Sequence, residues 1–281
     1  MRRVAGRMSD SAAEMRAKTA TAYNAAADFY EHEALSFWDR FGRQTVARME
    51  LRPGDAVLDV CCGAGASAIP AAQSVGPRGR VVAVDLAENL LARARTKSRA
   101  LGLPRLEFRC ADLMNLNFPS GAFDAIICVF GLFFVPDMEG AVEELWRMVK
   151  PGGKLAITTW GPRLFEPVNT QFWESVQSER ADLYKKFNPW DRITDPTAVR
   201  ELLARSNIRE CRVMAEAATH PLRTPDDWWT IILGTGYRGT VEQLSRDAQE
   251  RVRQANLNYI RENGIAAIEV NVIYALVEKA Q

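Results

Sequence analysis

The sequence predicts an α/β protein built on one mostly parallel, seven-stranded sheet with helices on both faces. Two observations favour this class. Between residues 56 and 160, short apolar segments alternate with segments of helical periodicity, which is typical of a parallel sheet. The apolar segments are also nearly continuous, which indicates strands that are buried on both faces.

Helical periodicity dominates the chain before the predicted sheet. Residues 10–50 are rich in alanine and glutamate, and their apolar residues, which include Tyr23 and Tyr30, recur at helical spacing. A Pro–Gly pair then ends the periodic region. We therefore expect a helical cap over residues 1–50.

The central part, residues 51–160, is predicted to hold five strands and three helices. The strands are residues 56–60, 80–84, 106–109, 123–130 and 154–160, and the helices are residues 66–74, 88–101 and 138–149. Turn residues separate these segments, and a Pro–Gly–Gly turn opens the fifth strand. Short apolar runs between turns are the pattern expected of buried strands.

The pattern becomes irregular over residues 161–281, the third part of the predicted organisation. A helix at residues 201–206, a sixth strand at residues 210–215 and one final long strand at residues 266–277 are predicted there. Residues 225–263 are mostly helical, with a Gly/Thr-rich break at residues 234–240. This helical insertion before the last strand is expected to cover a substrate.

Composition and charge exclude several classes of function. The 281 residues include 36 Lys and Arg against 35 Asp and Glu, so no basic stripe indicates nucleic acid. The sequence has no basic run of the kind that is typical of a membrane-surface patch. Its longest apolar run, residues 125–135, is too short to span a bilayer. The basic start lacks the apolar segment of a secretory signal. We predict a cytoplasmic protein with a small-molecule substrate and no stable membrane anchor, and a homodimer is compatible with these features.

The five cysteines indicate reduced thiols, because an odd number in a long chain is typical of a cytoplasmic protein. The adjacent pair Cys61 and Cys62 has no CxxC partner or histidine nearby. A metal site is therefore not predicted. We expect the thiols to pack as small apolar groups in strands and turns.

A glycine-rich turn after the first strand is the strongest functional motif. Residues 57–66 read VLDVCCGAGA, in which Asp59 belongs to the strand and Gly63 and Gly65 to the turn. Glycines let the backbone come close to a ligand, and the amides at a helix start suit an anionic group. This pattern alone also fits a nicotinamide dinucleotide, because the G-x-G-x-x-A form of that motif is met.

Asp59 favours a different adenosine cofactor. A carboxylate four positions before the first glycine would repel a pyrophosphate and attract an ammonium group. S-adenosylmethionine has an ammonium and a carboxylate but no phosphate, so it accounts for both the acid and the helix start. An NAD-dependent oxidoreductase and a non-catalytic module that binds an adenosine cofactor are the alternatives.

Residues after the next three strands also support an adenosine ligand. Asp85 ends the second strand and can accept hydrogen bonds from two ribose hydroxyls, although a helix N-cap is an alternative role. Asp112 and Leu113 follow the third strand, where a carboxylate can accept from the adenine amino group. Phe130 ends the fourth strand at the sheet edge where open α/β sheets bind ligands.

In this order, the motifs resemble the class I S-adenosylmethionine-dependent methyltransferases, which have a Rossmann-like fold. LDVCCGAGA, VDLAENLL, CADL, FDAIICVFG and VKPGGKLAI are most similar to the branch that includes the ubiquinone and menaquinone C-methyltransferases. The resemblance is good over residues 50–160 and loose over residues 161–281. Cys61 departs from the pattern, since glycine or alanine is common there.

The resemblance implies a part of the cofactor for each motif. By position, the implied binding residues are Asp59, Gly63 and Gly65 for the methionine part, Asp85 and Leu86 for the ribose, Asp112 and Leu113 for the adenine, and Phe130 beside the sulfonium. The resemblance also implies methyl transfer by in-line displacement.

The methyl acceptor is harder to predict than the donor. A base is needed only if the acceptor must lose a proton, and the two histidines of the chain, His32 and His220, are the candidates. Surface or capping roles are the alternative for both. Tyr23 and Tyr30 are candidates for turning an aromatic face toward the sulfonium, with core packing as the alternative.

Two residues in the insertion are candidates for contact with the substrate. Tyr237 and Arg238 lie between glycines in a segment that is rich in aromatic residues. Arg238 can pair with a carboxylate, and stabilisation of the fold is the alternative. The apolar and aromatic residues of segment 161–265 favour a small, largely apolar acceptor, methylated at oxygen or carbon.

Overall fold

A seven-stranded sheet forms the centre of the molecule, in a computed structural model that describes residues 16–281. The strands, including those of a two-stranded second sheet, are β1 (Ala56–Val60), β2 (Arg80–Asp85), β3 (Leu106–Cys110), β4 (Phe123–Val129), β5 (Val149–Trp160), β6 (Arg212–Glu216), β7 (Thr219–Pro221), β8 (Ala267–Glu269) and β9 (Val272–Glu278). The order in the main sheet is β3-β2-β1-β4-β5-β9-β6. Strand β9 is antiparallel to both of its neighbours, and the pairs from β3 to β5 are parallel. The predicted fold class is therefore confirmed.

Helices cover both faces of this sheet. Residues 16–26 are helical (α1), and the other helices are α2 (Phe37–Met49), α3 (Ala68–Val75), α4 (Glu88–Ala100), α5 (Met138–Met148), α6 (Val168–Glu179), α7 (Pro196–Arg205), α8 (Pro225–Leu233), α9 (Arg238–Val241) and α10 (Arg246–Glu262). Short 3₁₀ turns are Ala27–Phe29, Glu33–Leu35, Leu113–Asn115, Leu132–Phe134, Ala181–Leu183 and Pro189–Ile193. None of the helices in the described part of the chain has the length and apolar character needed to cross a bilayer.

The central strands are buried on both faces, as their apolar sequences predict. Within β1, Leu58 and Val60 belong to one buried cluster and Val57 to another. Successive side chains of a strand point to opposite faces, so the two clusters are the cores on the two sides of the sheet. The cluster that contains Leu58 also includes Trp228 and Tyr237 of the insertion.

The helical cap is less regular than predicted. The part of it that falls on residues 1–15 lies outside the described residues. Beyond residue 26 the helix gives way to two 3₁₀ turns before α2 begins at Phe37. His32 is the N-cap of the second turn, where its side chain accepts a hydrogen bond from the amide of Ala34. Side chains that bond nearby amides compete with a continuous helix.

The prediction of one continuous final strand over residues 266–277 was wrong. It is divided into β8, which pairs with β7, and β9, which pairs with β5 and β6. Asn271 lies at the division: its Oδ1 accepts from the amide of Ala218 at 3.0 Å, and its Nδ2 donates to the carbonyl of Pro162 at 2.9 Å. These bonds fix the chain where it passes from one sheet to the other.

Other elements also differ from the prediction. Strand β5 begins at Val149, because the Pro–Gly–Gly turn is an irregularity within the strand, where the register with β4 shifts. Helix α7 begins at Pro196, since Asp195 caps it and proline suits the first helical position. Helix α9 occupies part of the predicted break, and α6 was not predicted.

Candidate functional site

A pocket opens at the carboxyl ends of β1, β2 and β4. Its empty space of about 1230 Å³ includes space that is open to solvent. The described segments that border it are residues 61–64, 66–67, 84–87, 111–114, 129–131 and 134–136, together with residues from α1, α2, α4 and the turn before α2. The edge of the sheet is the one that the sequence predicted for a ligand.

Most of the predicted cofactor residues border this pocket. They are Tyr23, Tyr30, Gly63, Asp85, Leu86, Asp112, Leu113 and Phe130. Their contacts with a ligand stay a prediction. Asp59 and Gly65 are not part of the described pocket wall. We therefore expect these two residues to support the wall from behind.

Asp85 connects the glycine turn to the start of α4. Its Oδ2 accepts from the amide of Gly63 at 2.9 Å, and its Oδ1 accepts from the amide of Ala87 at 2.8 Å. Gly63 has a φ of 51°, a conformation that glycine adopts readily. Burial raises the pKa of Asp85, whereas its bonds to backbone amides act to lower it. The carboxylate is thus held in one orientation at the pocket wall.

Asp59 lies behind the pocket wall rather than in it. The side chain is completely buried, and its Oδ2 accepts from the hydroxyl of Ser67 at 2.7 Å. Ser67 itself borders the pocket. Burial raises the pKa of Asp59 to about 8 although the bond from Ser67 acts to lower it. Its Oδ1 is buried and has no hydrogen-bond partner among residues 16–281.

Gly65 shapes the turn from behind the pocket wall. Its φ is 87°, and a Cβ at this position would lie 3.1 Å from the Cδ1 of Ile69. The residue therefore serves the backbone conformation and the close packing of α3.

Asp112 joins the pocket wall to α1. Its Oδ1 accepts from the amide of Met114 at 3.0 Å, which caps the 3₁₀ turn that Leu113 begins. Its Oδ2 lies 3.3 Å from the Nε of Arg16. Arg16 also borders the pocket, and no local pattern predicts this pair because the two residues are far apart in the chain. Asp39 of α2 is a second wall residue that was not predicted.

Five aromatic residues of the pocket wall, here called the aromatic wall, are Tyr23, Tyr30, Trp38, Phe130 and Phe134. The ring of Tyr30 stacks on Trp38 with centroids 5.8 Å apart, and Trp38 meets Phe130 at 5.4 Å. Tyr23 contacts Phe134 at 5.6 Å. Burial raises the pKa of Tyr23 and of Tyr30 well above the ordinary value, so both hydroxyls are protonated at neutral pH.

The end of β4 presents the central ring of the aromatic wall. Phe130 has a φ of 55°, its amide donates to the carbonyl of Thr158 at 2.8 Å, and its ring stacks on Trp160 at 3.8 Å. A left-handed conformation is strained for a bulky residue and is kept only where its surroundings enforce it. The backbone bond and the stacked ring supply that enforcement.

Two thiols complete the floor of the pocket. Cys61 and Cys62 both border it. A hydrogen bond with Cys128 and burial raise the pKa of Cys61, and burial raises the pKa of Cys62. Gly131 packs closely against Cys61, since a Cβ there would lie 2.2 Å from the Cβ of Cys61. Within residues 16–281, no group of three or more potential metal ligands is found.

Neither histidine borders the pocket, so the prediction of a histidine base is not supported by position. His32 is exposed and caps a 3₁₀ turn. His220 lies in β7, where it is 5% exposed and meets the ring of Phe37 at 5.1 Å. Burial lowers the pKa of His220. His32 has the capping role that was the alternative, whereas His220 is buried against Phe37, which is neither of the predicted roles.

The predicted substrate residues also lie away from the described pocket wall. Tyr237 is buried, and its hydroxyl donates to the Oδ1 of Asn169 at 2.8 Å. Its ring packs among other aromatic rings of the insertion. Arg238 pairs with Glu242 at 2.6 Å and lies over the ring of Phe29 at 5.7 Å. These contacts are contacts within the fold, which was the alternative interpretation for Arg238, and a role of the two residues in substrate binding stays a prediction.

Comparison with known proteins identifies a family for the sequence. The model of the ubiE/COQ5 methyltransferase family matches residues 8–173. The demethylmenaquinone methyltransferase of Bacillus cytotoxicus is 39% identical over 132 residues, which are 47% of this chain and 53% of that protein. The chain thus spans about half the length of the curated relatives that it matches. The class I resemblance deduced from the five motifs is confirmed.

Solved structures share the fold at low sequence identity. A protein of Anabaena variabilis, named for a methyltransferase of antibiotic biosynthesis, has a TM-score of 0.59 at 19% identity, over 85% of this chain and 96% of that one. The cyclase SpnF has a TM-score of 0.53 at 20% identity, over 86% of this chain and 82% of that one. Since one fold carries different reactions, these likenesses speak for the architecture and not for the chemistry.

Proposed function

Because the chain belongs to the ubiE/COQ5 methyltransferase family, we propose that it transfers a methyl group from S-adenosylmethionine to a small, largely apolar acceptor, at carbon or oxygen. The observation that carries the proposal is a single pocket that places the fixed carboxylate of Asp85 beside the aromatic wall. The carboxylate suits the sugar of an adenosine cofactor, and the rings suit a cation and an apolar acceptor.

The residues present fit S-adenosylmethionine. Asp85 keeps acceptor capacity toward the pocket after bonding two amides, which two ribose hydroxyls require. The Oδ1 of Asp59 is a buried acceptor without a partner among the described residues, and an ammonium group would satisfy it directly or through a water. A bridging water agrees better than a direct contact with the position of Asp59 behind Ser67.

The chemistry that the cofactor supplies when bound is a methyl group on a positively charged sulfur. The aromatic wall offers ring faces that attract a cation and exclude water. Tyr23 and Tyr30 stay protonated because of burial, so their hydroxyls can donate to an acceptor oxygen but do not remove protons. Holding two reactants in line can contribute about 7–11 kcal/mol in well-oriented cases.

We propose an aromatic, quinol-like ring as the acceptor to test first. The relatives named demethylmenaquinone methyltransferase supply the class of compound. The aromatic wall and apolar neighbours such as Leu113 and Val135 supply flat, apolar surface for such a ring. The described pocket wall has no histidine, and the proposal assigns no base.

Calorimetry with Asp85→Ala tests the donor site. The unmodified chain is expected to bind S-adenosylmethionine and its demethylated product, and loss of the ribose acceptor should weaken both affinities by more than about tenfold, since hydrogen bonds to a charged group contribute about 1.5–3 kcal/mol. Asp55→Ala is the matched control, because Asp55 also accepts from a backbone amide, that of Arg52 at 2.8 Å, but lies at the other end of β1. An unchanged affinity in Asp85→Ala would reject the ribose role.

Transfer of a labelled methyl group to reduced naphthoquinones and catechols tests the reaction itself. Methylated product that depends on the protein supports the proposal. Cofactor binding without transfer to any acceptor of the panel would favour the non-catalytic module. Titration with NADH in the same experiment addresses the oxidoreductase alternative, for which tight NADH binding would be required.

A further inference from the structure

An exposed aromatic side chain follows two lysines near the pocket. Phe187 is 59% exposed, and Leu101 at 52% is the other large hydrophobic residue that is strongly exposed in residues 16–281. Lys185 and Lys186 directly precede Phe187, and both are exposed. Neither lysine is in an ion pair within the described residues, and the Nζ of Lys185 lies 5.8 Å from the centre of the Trp173 ring. We call these three residues the lysine–phenylalanine patch.

The acidic groups around this patch are already engaged. Asp182 pairs with Arg180 at 2.6 Å, and the Oδ2 of Asp191 accepts from the amide of Asn188 at 2.7 Å. Glu179, further along, pairs with Arg251. The adjacent Arg192 opposes the charge of Asp191, so the two lysines give the patch a local positive charge beside an exposed ring. That combination is complementary to a surface that is both anionic and apolar.

The patch is held in place by the residues that follow it. A capping box between Asn188 and Asp191 starts the 3₁₀ turn Pro189–Ile193, and Trp190 of this turn is buried. The exposure of Phe187 is thus a property of an anchored segment. An exposed ring on an anchored segment is ready to contact a partner without a large cost of ordering.

The same turn connects the patch to the rim of the pocket. Arg192 donates to the carbonyl of Val135 at 2.8 Å and to the carbonyl of Pro136 at 2.9 Å. Val135 and Pro136 both border the pocket. A partner that binds the lysine–phenylalanine patch will therefore lie close to the pocket rim.

We propose that the lysine–phenylalanine patch docks the protein on the surface of an anionic phospholipid bilayer. The ring of Phe187 would enter the interface between headgroups and acyl chains, while Lys185 and Lys186 face the lipid phosphates. This is a peripheral contact, and it needs no membrane-spanning helix. Docking would bring the pocket rim to the lipid bilayer, in which an apolar acceptor dissolves. The inference extends the proposed function, but lipid binding itself requires neither cofactor nor methyl transfer.

Co-sedimentation with lipid vesicles tests this docking. We expect the full chain to sediment with phosphatidylcholine vesicles that contain about 30 mol% phosphatidylglycerol and to remain in the supernatant with phosphatidylcholine alone. The double variant K185Q/K186Q should lower the partition coefficient at least about tenfold, since each lysine near an anionic surface contributes severalfold. Phe187→Ser should also lower it, and raising the salt from about 0.1 M to about 1 M should abolish binding.

Matched controls lie at the amino ends of β2 and β3, away from the pocket edge. Leu101→Ser removes the other exposed hydrophobic side chain, and R78Q/R99Q removes two exposed positive charges. Both should sediment like the unmodified chain. Equal lipid binding by the patch variants, or loss of binding in the controls instead, would overturn the proposal. Self-association that depends on Phe187 and occurs without any vesicle binding would also overturn it, in favour of a protein interface.

Discussion

Asp59 shows how burial and hydrogen bonding compete at a single carboxyl group. One oxygen accepts from Ser67, and the other is buried without a partner among the described residues. One hydrogen bond does not replace the hydration of a carboxylate, and the pKa is raised to about 8. At neutral pH the folded protein without a bound cation therefore favours the protonated form, and an ammonium group beside Asp59 would favour the carboxylate.

This raised pKa predicts a loss of stability at higher pH. A group whose pKa is higher in the folded than in the unfolded chain stabilises the fold fully below the unfolded value, and the contribution disappears as pH rises through about 8. In urea unfolding between about pH 5 and pH 8.5, Asp59→Asn should remove a slope of up to about 1.4 kcal/mol per pH unit. The variant should thus gain stability relative to the unmodified chain as pH rises.

The half-buried Asp55, which precedes β1 at the end away from the pocket, provides the control for this measurement. If Asp59 produces the slope, the Asp55→Asn variant keeps it. Identical slopes for Asp59→Asn and the unmodified chain would contradict the assignment of the titration to Asp59.

Among single residues, the sequence predicted the pocket residues that belong to the glycine-turn and strand-end motifs better than it predicted those in the insertion. Asp85 and Phe130 reach the pocket because each ends or follows a strand at the ligand-binding edge, a position that the pattern defines. Tyr237 and His220 do not border the pocket, because long-range packing, which no local pattern encodes, sets the direction of their side chains. The pair of Arg16 and Asp112 depends on tertiary contact alone.

Helix α2 rests directly on the glycine turn. Gly42 makes this approach possible, because a Cβ there would lie 2.3 Å from the carbonyl oxygen of Ala66. Further along the helix, the hydroxyls of Thr45 and Thr158 share a buried hydrogen bond of 2.7 Å. The helix that contributes Trp38 to the aromatic wall is thus fixed against both β5 and the turn after β1.

Gly42→Ala should separate these elements. The added methyl group meets backbone, which cannot rotate away, so we expect a loss of about 1–3 kcal/mol in the free energy of unfolding and weaker cofactor binding. Chemical denaturation and calorimetry measure the two effects. Gly239→Ala is the matched control: Gly239 lies in α9 with no atom within 4 Å of the added Cβ, and stability should stay the same or rise by up to about 1 kcal/mol. Equal effects of the two substitutions would contradict the packing argument.

Among the elements, the predictable ones were those with a uniform environment. Strands β1 to β3 follow their apolar runs to within one residue of the predicted ends, because burial on both faces leaves a continuous signal. The run at residues 266–277 gave the same signal, but the side-chain bonds of Asn271 divide it between two sheets. Nothing in a local pattern reports such a distant partner.

At the scale of the whole molecule, residues 16–38 form a cap over the pocket that is attached partly by exposed polar contacts. Arg93 of α4 pairs with Asp28 at 2.6 Å, and the amide of Asn89 donates to the Oδ1 of Asn24 at 2.9 Å. Exposed contacts of this kind contribute little free energy. The cap is therefore expected to open locally more often than the sheet does.

Binding of S-adenosylmethionine should slow hydrogen exchange within this cap, because Tyr23 and Tyr30 of the cap border the pocket. At about 100 times its dissociation constant, the ligand should add about 2.7 kcal/mol to the stability, which corresponds to a rise of about 5–10 °C in melting temperature for a chain of this size. NADH is the control and should change neither quantity. Slower hydrogen exchange in the strands alone, with no change in residues 16–38, would contradict the role of these residues as a cover over the bound cofactor.

The two thiols on the pocket floor have a consequence for the durability of the protein. A methyl sulfonium is an alkylating agent, and a thiolate is the strongest nucleophile that a protein offers to it. The raised pKa values of Cys61 and Cys62 keep both sulfurs protonated at neutral pH, and a protonated thiol resists such alkylation. Under the proposed function, the burial that closes the floor of the pocket would therefore slow methylation of the protein by its own cofactor.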